Sequence, residues 1–98
     1  MGAFYSREEA ESRLTFSDGW KFSKNSITKD FVFKDFSAAF AFMTMVAIEA
    51  EKAMHHPDWS NTWNKVSITL STHSAGGVTD LDLKLAEQID KKAKQFAK

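Results

Sequence analysis

Three histidines, His55, His56 and His73, are the side chains of this 98-residue chain best suited to moving protons near neutral pH. An unperturbed imidazole titrates at about pH 6.5 and can serve as acid or base. Two of the three are adjacent in "EKAMHHPDW", just before the single proline, Pro57. Glu51 stands four residues ahead of His55. On a helix that spacing puts both on one face, where the carboxylate accepts a proton from one ring nitrogen and fixes the tautomer that the other presents. His56, directly before proline, is pushed out of helical geometry, so its ring is free to turn towards a cleft. His73 closes the strand-like run "KVSITLSTH".

Each of these residues also fits a plainer role. His55 suits a helix end, where its cation would meet free carbonyls. His56 suits a solvated loop, and His73 a strand-end hydrogen bond. A zinc site is a further reading, since three imidazoles can hold a catalytic zinc. Adjacent side chains, however, diverge by about 100° on a helix or about 180° on a strand, which makes His55 and His56 poor co-ligands. Gly76-Gly77 lacks the lysine and flanking strand of a phosphate loop, and no serine nucleophile elbow competes.

Composition narrows the substrate. Lys and Arg number 13, and so do Asp and Glu. Without a positive field the chain is not built for direct nucleic-acid or anionic-membrane binding, and a small or neutral substrate is expected. The lack of cysteine removes disulfides, thiolate nucleophiles and cysteine zinc sites, and suits a reducing cytoplasm. No signal-peptide pattern opens the sequence. Apolar runs fall short of the ~18 residues of a membrane span, save one Ala- and Phe-rich segment that ends in charges and reads as core. A single domain, residues 1–98, is the organisation expected at this length.

The elements that must position the histidines follow from periodicity and caps. Ser6 with Glu9 marks a capping box, and Ala10 and Leu14 continue a short helix that stops by Asp18-Gly19. "WKFS", the polar "KNS" and Ile27 to Phe33 predict a hairpin with Ile27, Phe31 and Phe33 on one side. Asp35 caps a helix of about five turns running to Met54. Along it Phe36, Phe40, Met43, Ala47, Ala50 and Met54 form one apolar stripe, while Phe42, Met45 and Ile48 project from the far side. Two apolar faces on one helix predict an oligomer or a protein partner, with Phe42, Met45 and Ile48 as a suitable surface.

After Pro57 a half-buried strand carries Val66, Ile68 and Leu70, with Trp59 to Trp63 as a short neighbour. Thr79 and Asp82 begin a last helix with Leu81, Leu85, Ile89, Ala93 and Phe96 inward and Lys91, Lys92, Lys94 and Lys98 at its end. The expected fold class is α+β: an antiparallel sheet of about four strands with three helices packed on one face.

Glu51, three residues, His55-His56-Pro57, five more, Trp63, nine more, His73, eight more, Asp82: this spacing resembles the signature of the pterin-4a-carbinolamine dehydratases. Gly19-Trp20, "FVFKDFSAAFAFMTMVAIEAEKAMHHP", "NKVSITLSTH" and "GVTDLDLKLA" extend the likeness over nearly the whole chain. Ser74 and the length of the hairpin from Trp20 to Phe31 are modest departures. The resemblance implies a hydro-lyase that dehydrates 4a-hydroxytetrahydrobiopterin to quinonoid dihydrobiopterin, recycling tetrahydrobiopterin for aromatic amino acid hydroxylases. It implies His55, His56 and His73 as catalytic residues around the C4a and N5 edge, with Glu51 holding His55, Asp82 orienting His73, and Trp20 and Pro57 completing the pterin pocket. No metal or other cofactor is implied. Homodimers or homotetramers are, and animal members add a homeodomain transcription factor of the hepatocyte-nuclear-factor type as partner, which adds the nucleus to the cytoplasm as a location.

Overall fold

Ile27 and Phe31 on one strand and Val66, Ile68 and Leu70 on another alternate with polar residues, and this alternation builds the centre of the sheet. The computed structural model describes residues 3–15 and 18–96, so Lys98 lies outside the described residues. In chain order these form α1 (Arg7–Arg13), β1 (Lys21–Ser23), β2 (Ser26–Val32), α2 (Phe36–Ala53), β3 (Asp58–Thr62), β4 (Lys65–Leu70) and α3 (Asp80–Lys94). The sheet is antiparallel throughout, ordered β1-β2-β4-β3. The chain thus adopts the expected α+β fold with four strands and three helices.

Register puts Ile27 opposite Leu70 and Phe31 opposite Val66, so the apolar sides of β2 and β4 coincide. One buried cluster joins them to Ala10 of α1, Phe42 and Val46 of α2, and Leu85, Ala86 and Ile89 of α3. Thr28, Ser67 and Thr69 turn to the other side of the sheet. No helix among the described residues is long and apolar enough to cross a membrane.

The face that α2 turns to the sheet differs from the expectation. Ala39, Phe42, Val46 and Ala50 are buried, and the Phe42 ring centroid lies 5.0 Å from that of Phe31 and 4.8 Å from that of Phe33. Phe36 and Phe40 are 49% and 56% exposed and pack on each other, 5.7 Å apart. Phe42 is therefore core rather than partner surface, and the wet apolar face is Phe36, Phe40 and Ala47, with exposed Ile48 beside it. Side-chain size explains the choice: Ala39 and Ala50 let the helix approach the sheet closely enough for Phe42 to fill the gap, whereas Phe36 and Phe40 would hold it away. Leu81 also points outwards, because the buried arc of α3 centres on Leu85, Ala86 and Ile89.

The ends of the helices place the site. Asp35 caps α2, its Oδ1 accepting the Ala38 N–H at 2.8 Å, and the Thr79-Asp82 capping box begins α3. α2 ends at Met54, held in the left-handed region at φ 53° while the His55 N–H returns to the Ala50 carbonyl at 3.1 Å. This reversal turns His55 inwards, and Pro57 then leads into β3. A methionine at positive φ costs energy that its mostly exposed side chain does not recover. Met54→Gly is accordingly expected to raise stability by about 0.5–1 kcal/mol in urea unfolding; an unchanged midpoint would mean that the turn carries no strain. Phe42→Ala should instead lower stability by about 3–5 kcal/mol, since it empties the space between Phe31 and Phe33.

Candidate active site

Asp82 is fully buried, and a buried carboxylate must be surrounded by donors to stay ionised. Three are present. His55 Nε2 lies 2.5 Å from Oδ1, while the Thr72 hydroxyl and the Thr79 N–H each reach Oδ2 at 2.8 Å. An ionised carboxylate only accepts, so the proton of the His55–Asp82 bond sits on Nε2, and Nδ1 is the nitrogen left to the site. His55 itself is 9% exposed. The partner of His55 is thus Asp82 from α3, not Glu51 one helical turn back.

Glu51 bonds His56 instead, Oε1 to Nε2 at 2.7 Å, with both side chains largely exposed. The left-handed residue Met54 explains the exchange: it breaks the helical phase before either histidine, so the four-residue spacing no longer sets which ring meets Glu51. His73 is highly exposed, and its Nε2 lies 3.8 Å from Asp58 Oδ2. Each histidine therefore faces a carboxylate, one pair in the interior and two in solvent.

Sheet pairing gathers the three. Asp58, two residues after His56, pairs with Thr69 near the end of β4. Beyond β4, Thr72 reaches Asp82, and His73 follows in a tight loop. That loop is closed by the Ala75 and Gly76 N–H groups on the Thr72 carbonyl, at 3.0 and 2.9 Å, with Gly76 at φ 83°. On the other flank Tyr5 ties the N-terminal segment to the start of α3, its N–H on the Val78 carbonyl and its hydroxyl on Asp80 Oδ1 at 2.6 Å. The Asp80 hydrogen bond pushes the Tyr5 phenol pKa up.

Trp20, an expected pocket residue, packs in the core. Its indole N–H meets Asp90 Oδ2 at 2.9 Å, and Lys29 holds Oδ1 of the same carboxylate at 2.8 Å. Asp90 is two turns, about 12 Å, along α3 from Asp82. Trp63 sits in the turn between β3 and β4, at the end of β3 away from the histidines. Pro57 is half-buried between His56 and Asp58. Asp82 meets His55 rather than His73.

Thr72 was the unanticipated member of the site. Its signal is the period of β4: Val66, Ile68 and Leu70 point inwards, and the next inward position holds a hydroxyl. Among the described residues, no three histidine or carboxylate side chains are grouped so as to hold a metal ion.

Known proteins share this arrangement of chain. A sequence profile described as pterin 4 alpha carbinolamine dehydratase matches residues 3–92. A protein of Christiangramia forsetii is 48% identical over 85 residues, which are 87% of this chain and 88% of that one. One from Synechococcus sp. is 46% identical over 90 residues, 92% of this chain and 97% of that one. Both carry the name pterin-4-alpha-carbinolamine dehydratase provisionally. The crystal structure of a transcriptional coactivator/pterin dehydratase from Brucella melitensis superposes with a TM-score of 0.88 at 44% identity, over 93% of this chain and 99% of that one. A pterin dehydratase-like protein identified as a RuBisCO assembly factor in the alpha-carboxysome shares the fold, with a TM-score of 0.65 at 21% identity over 82% of this chain and 93% of that one. On the profile match and these identities, the chain belongs to the pterin-4a-carbinolamine dehydratase family.

Proposed function

We propose that this protein is a 4a-hydroxytetrahydrobiopterin dehydratase, recycling tetrahydrobiopterin for aromatic amino acid hydroxylases by histidine acid-base catalysis. What supports this reading is that the chain belongs to that family and carries three histidines, each beside a carboxylate, in segments that leave or enter the same end of the sheet. The reaction breaks the C4a–O bond as a proton reaches the leaving hydroxyl, and it forms the C4a=N5 bond as N5 loses its proton. Water is the product. One group must give a proton and another take one, and each positioned group contributes about 10²–10⁴-fold. His56 and His73, the two exposed rings, serve as the proton-transfer pair, Glu51 orienting His56. His55, fixed by Asp82, assists at the hydroxyl through Nδ1. The reaction needs no metal ion.

Association through the exposed face of α2 is part of the same reading. Phe36, Phe40, Ala47 and Ile48 give that face an apolar stripe which a second copy would cover, producing a homodimer or homotetramer. A transcriptional coactivator role in the cytoplasm and nucleus, through a homeodomain partner on the same stripe, is the second reading. It is favoured by the description of the Brucella melitensis protein.

Purified protein in chelator should speed the decay of 4a-hydroxytetrahydropterin generated by a hydroxylase, and His56→Ala should lower kcat/KM by about 10²–10⁴-fold. Equal rates with and without wild-type protein would overturn the enzymatic reading. In sedimentation, Phe40→Ser should shift the protein towards smaller species while its far-ultraviolet spectrum stays unchanged; an unaltered mass would remove α2 as the contact.

A further inference from the structure

The hydrogen atoms around Asp82 can be placed by elimination. The carboxylate accepts from the Thr72 hydroxyl at 2.8 Å, which uses the single proton that Thr72 has to give. The contact between Thr72 Oγ1 and Thr79 Oγ1, at 2.7 Å, must then be donated by Thr79. Thr79 Oγ1 in turn accepts the Leu81 N–H at 3.2 Å. Donation thus converges on Asp82 from two sides: from the first turn of α3 through Thr79 and Thr72 to Oδ2, and from His55 Nε2 to Oδ1. Thr72, Asp82 and His55 are buried, and among the described residues no other hydroxyl bonds Asp82.

We propose that Thr72 is a positioning residue for the His55–Asp82 pair: its hydroxyl, oriented by Thr79, keeps Asp82 ionised with Oδ1 aimed at His55 Nε2, so that His55 presents Nδ1 to the substrate. The role in turnover rests on the dehydratase reading, whereas the role in setting the state of His55 does not. A hydroxyl donated to a carboxylate favours its ionised form. Remove it, and the pair as a whole binds its proton more tightly, so the apparent titration of the pair moves to higher pH. A threonine that only filled space would leave that titration where it was.

Other titratable groups lie on the segments that meet at the pair: Glu51 in the last turn of α2 and His56 just beyond it, Asp58 on β3, His73 in the loop after β4, and Asp80, bonded to Tyr5, on α3. The signal must therefore be read on His55 itself. Nitrogen-15 spectra of the imidazole rings, assigned with His55→Gln, should show His55 in wild type with its proton on Nε2. A neutral ring with its proton on Nδ1 and none on Nε2 would overturn the proposal before any threonine variant is made.

In Thr72→Val the His55 titration should move to higher pH, and the rising limb of kcat/KM between about pH 5 and 9 should move with it. kcat/KM at its optimum should fall about 10–100-fold, as for one lost hydrogen bond to a charged group. Thr72→Ser, which restores the hydroxyl, should return both the titration and the rate to within about 3-fold of wild type. An unmoved His55 titration in folded Thr72→Val overturns the proposal, whatever the rate does. So does a Thr72→Ser variant as impaired as Thr72→Val. If wild type has no dehydratase activity, the functional reading fails, but the imidazole spectra still decide what Thr72 does.

Discussion

One buried carboxylate organises this molecule. Leaving Asp82 ionised in the interior would be prohibitive without donors, and the three it has come from three different places: the end of α2 through His55, the chain leaving β4 through Thr72, and the first turn of α3 through Thr79. Satisfying the charge therefore specifies where those segments meet. The same side chain is the third residue of the α3 capping box, so helix initiation and tertiary docking draw on one group. Removing any one of the three donors would leave the buried carboxylate under-satisfied, which makes the junction cooperative rather than a sum of separate bonds.

A second constraint is the competition between faces of α2. The helix is apolar around much of its girth, and only packing against the sheet decides which arc is covered. Small residues win the close approach: Ala39 and Ala50 flank Phe42, whose ring reaches Phe31 and Phe33. The larger rings of Phe36 and Phe40 are left to each other and to solvent. That choice also sets the rotation at which α2 ends, and so the direction in which Met54 reverses the chain and sends His55 inwards.

Much of this was legible before the structure. The caps Ser6, Asp35 and Thr79, the inward strand residues Val66, Ile68 and Leu70, and the three histidines are local signals, and the folded chain uses the caps and strand residues as read. The carboxylate partners were not legible, because they depend on a backbone conformation that a methionine does not announce. With helical geometry continued to His55, Glu51 would meet it; with Met54 left-handed, Glu51 meets His56. The surroundings of Trp20 were not legible for a different reason. An indole beside a glycine looks alike in a pocket or a core, and only the distant pair Lys29 and Asp90 shows that its N–H is satisfied inside. Thr72 lay in plain view as a polar residue in an inward register, a mismatch between residue and position that marks a functional or strained site more often than an error.

The three histidine–carboxylate pairs differ in their contact with water, and under the proposed mechanism that difference would divide their work. In the interior the His55–Asp82 bond is strengthened by low polarity and surrounded by buried neighbours, which orients the remaining nitrogen of His55. His56 with Glu51 and His73 with Asp58 lie in solvent, where such pairs are weak and readily exchanged. Rings held that loosely can turn to meet a substrate and turn back to water to reset their protons, which a buried ring cannot do. The 18 residues of α2 then separate this chemistry from the stripe begun by Phe36 and Phe40 by up to about 27 Å of helix. On the proposed reading one helix would serve both surfaces, with Phe36 and Phe40 at its start and the histidines after its end.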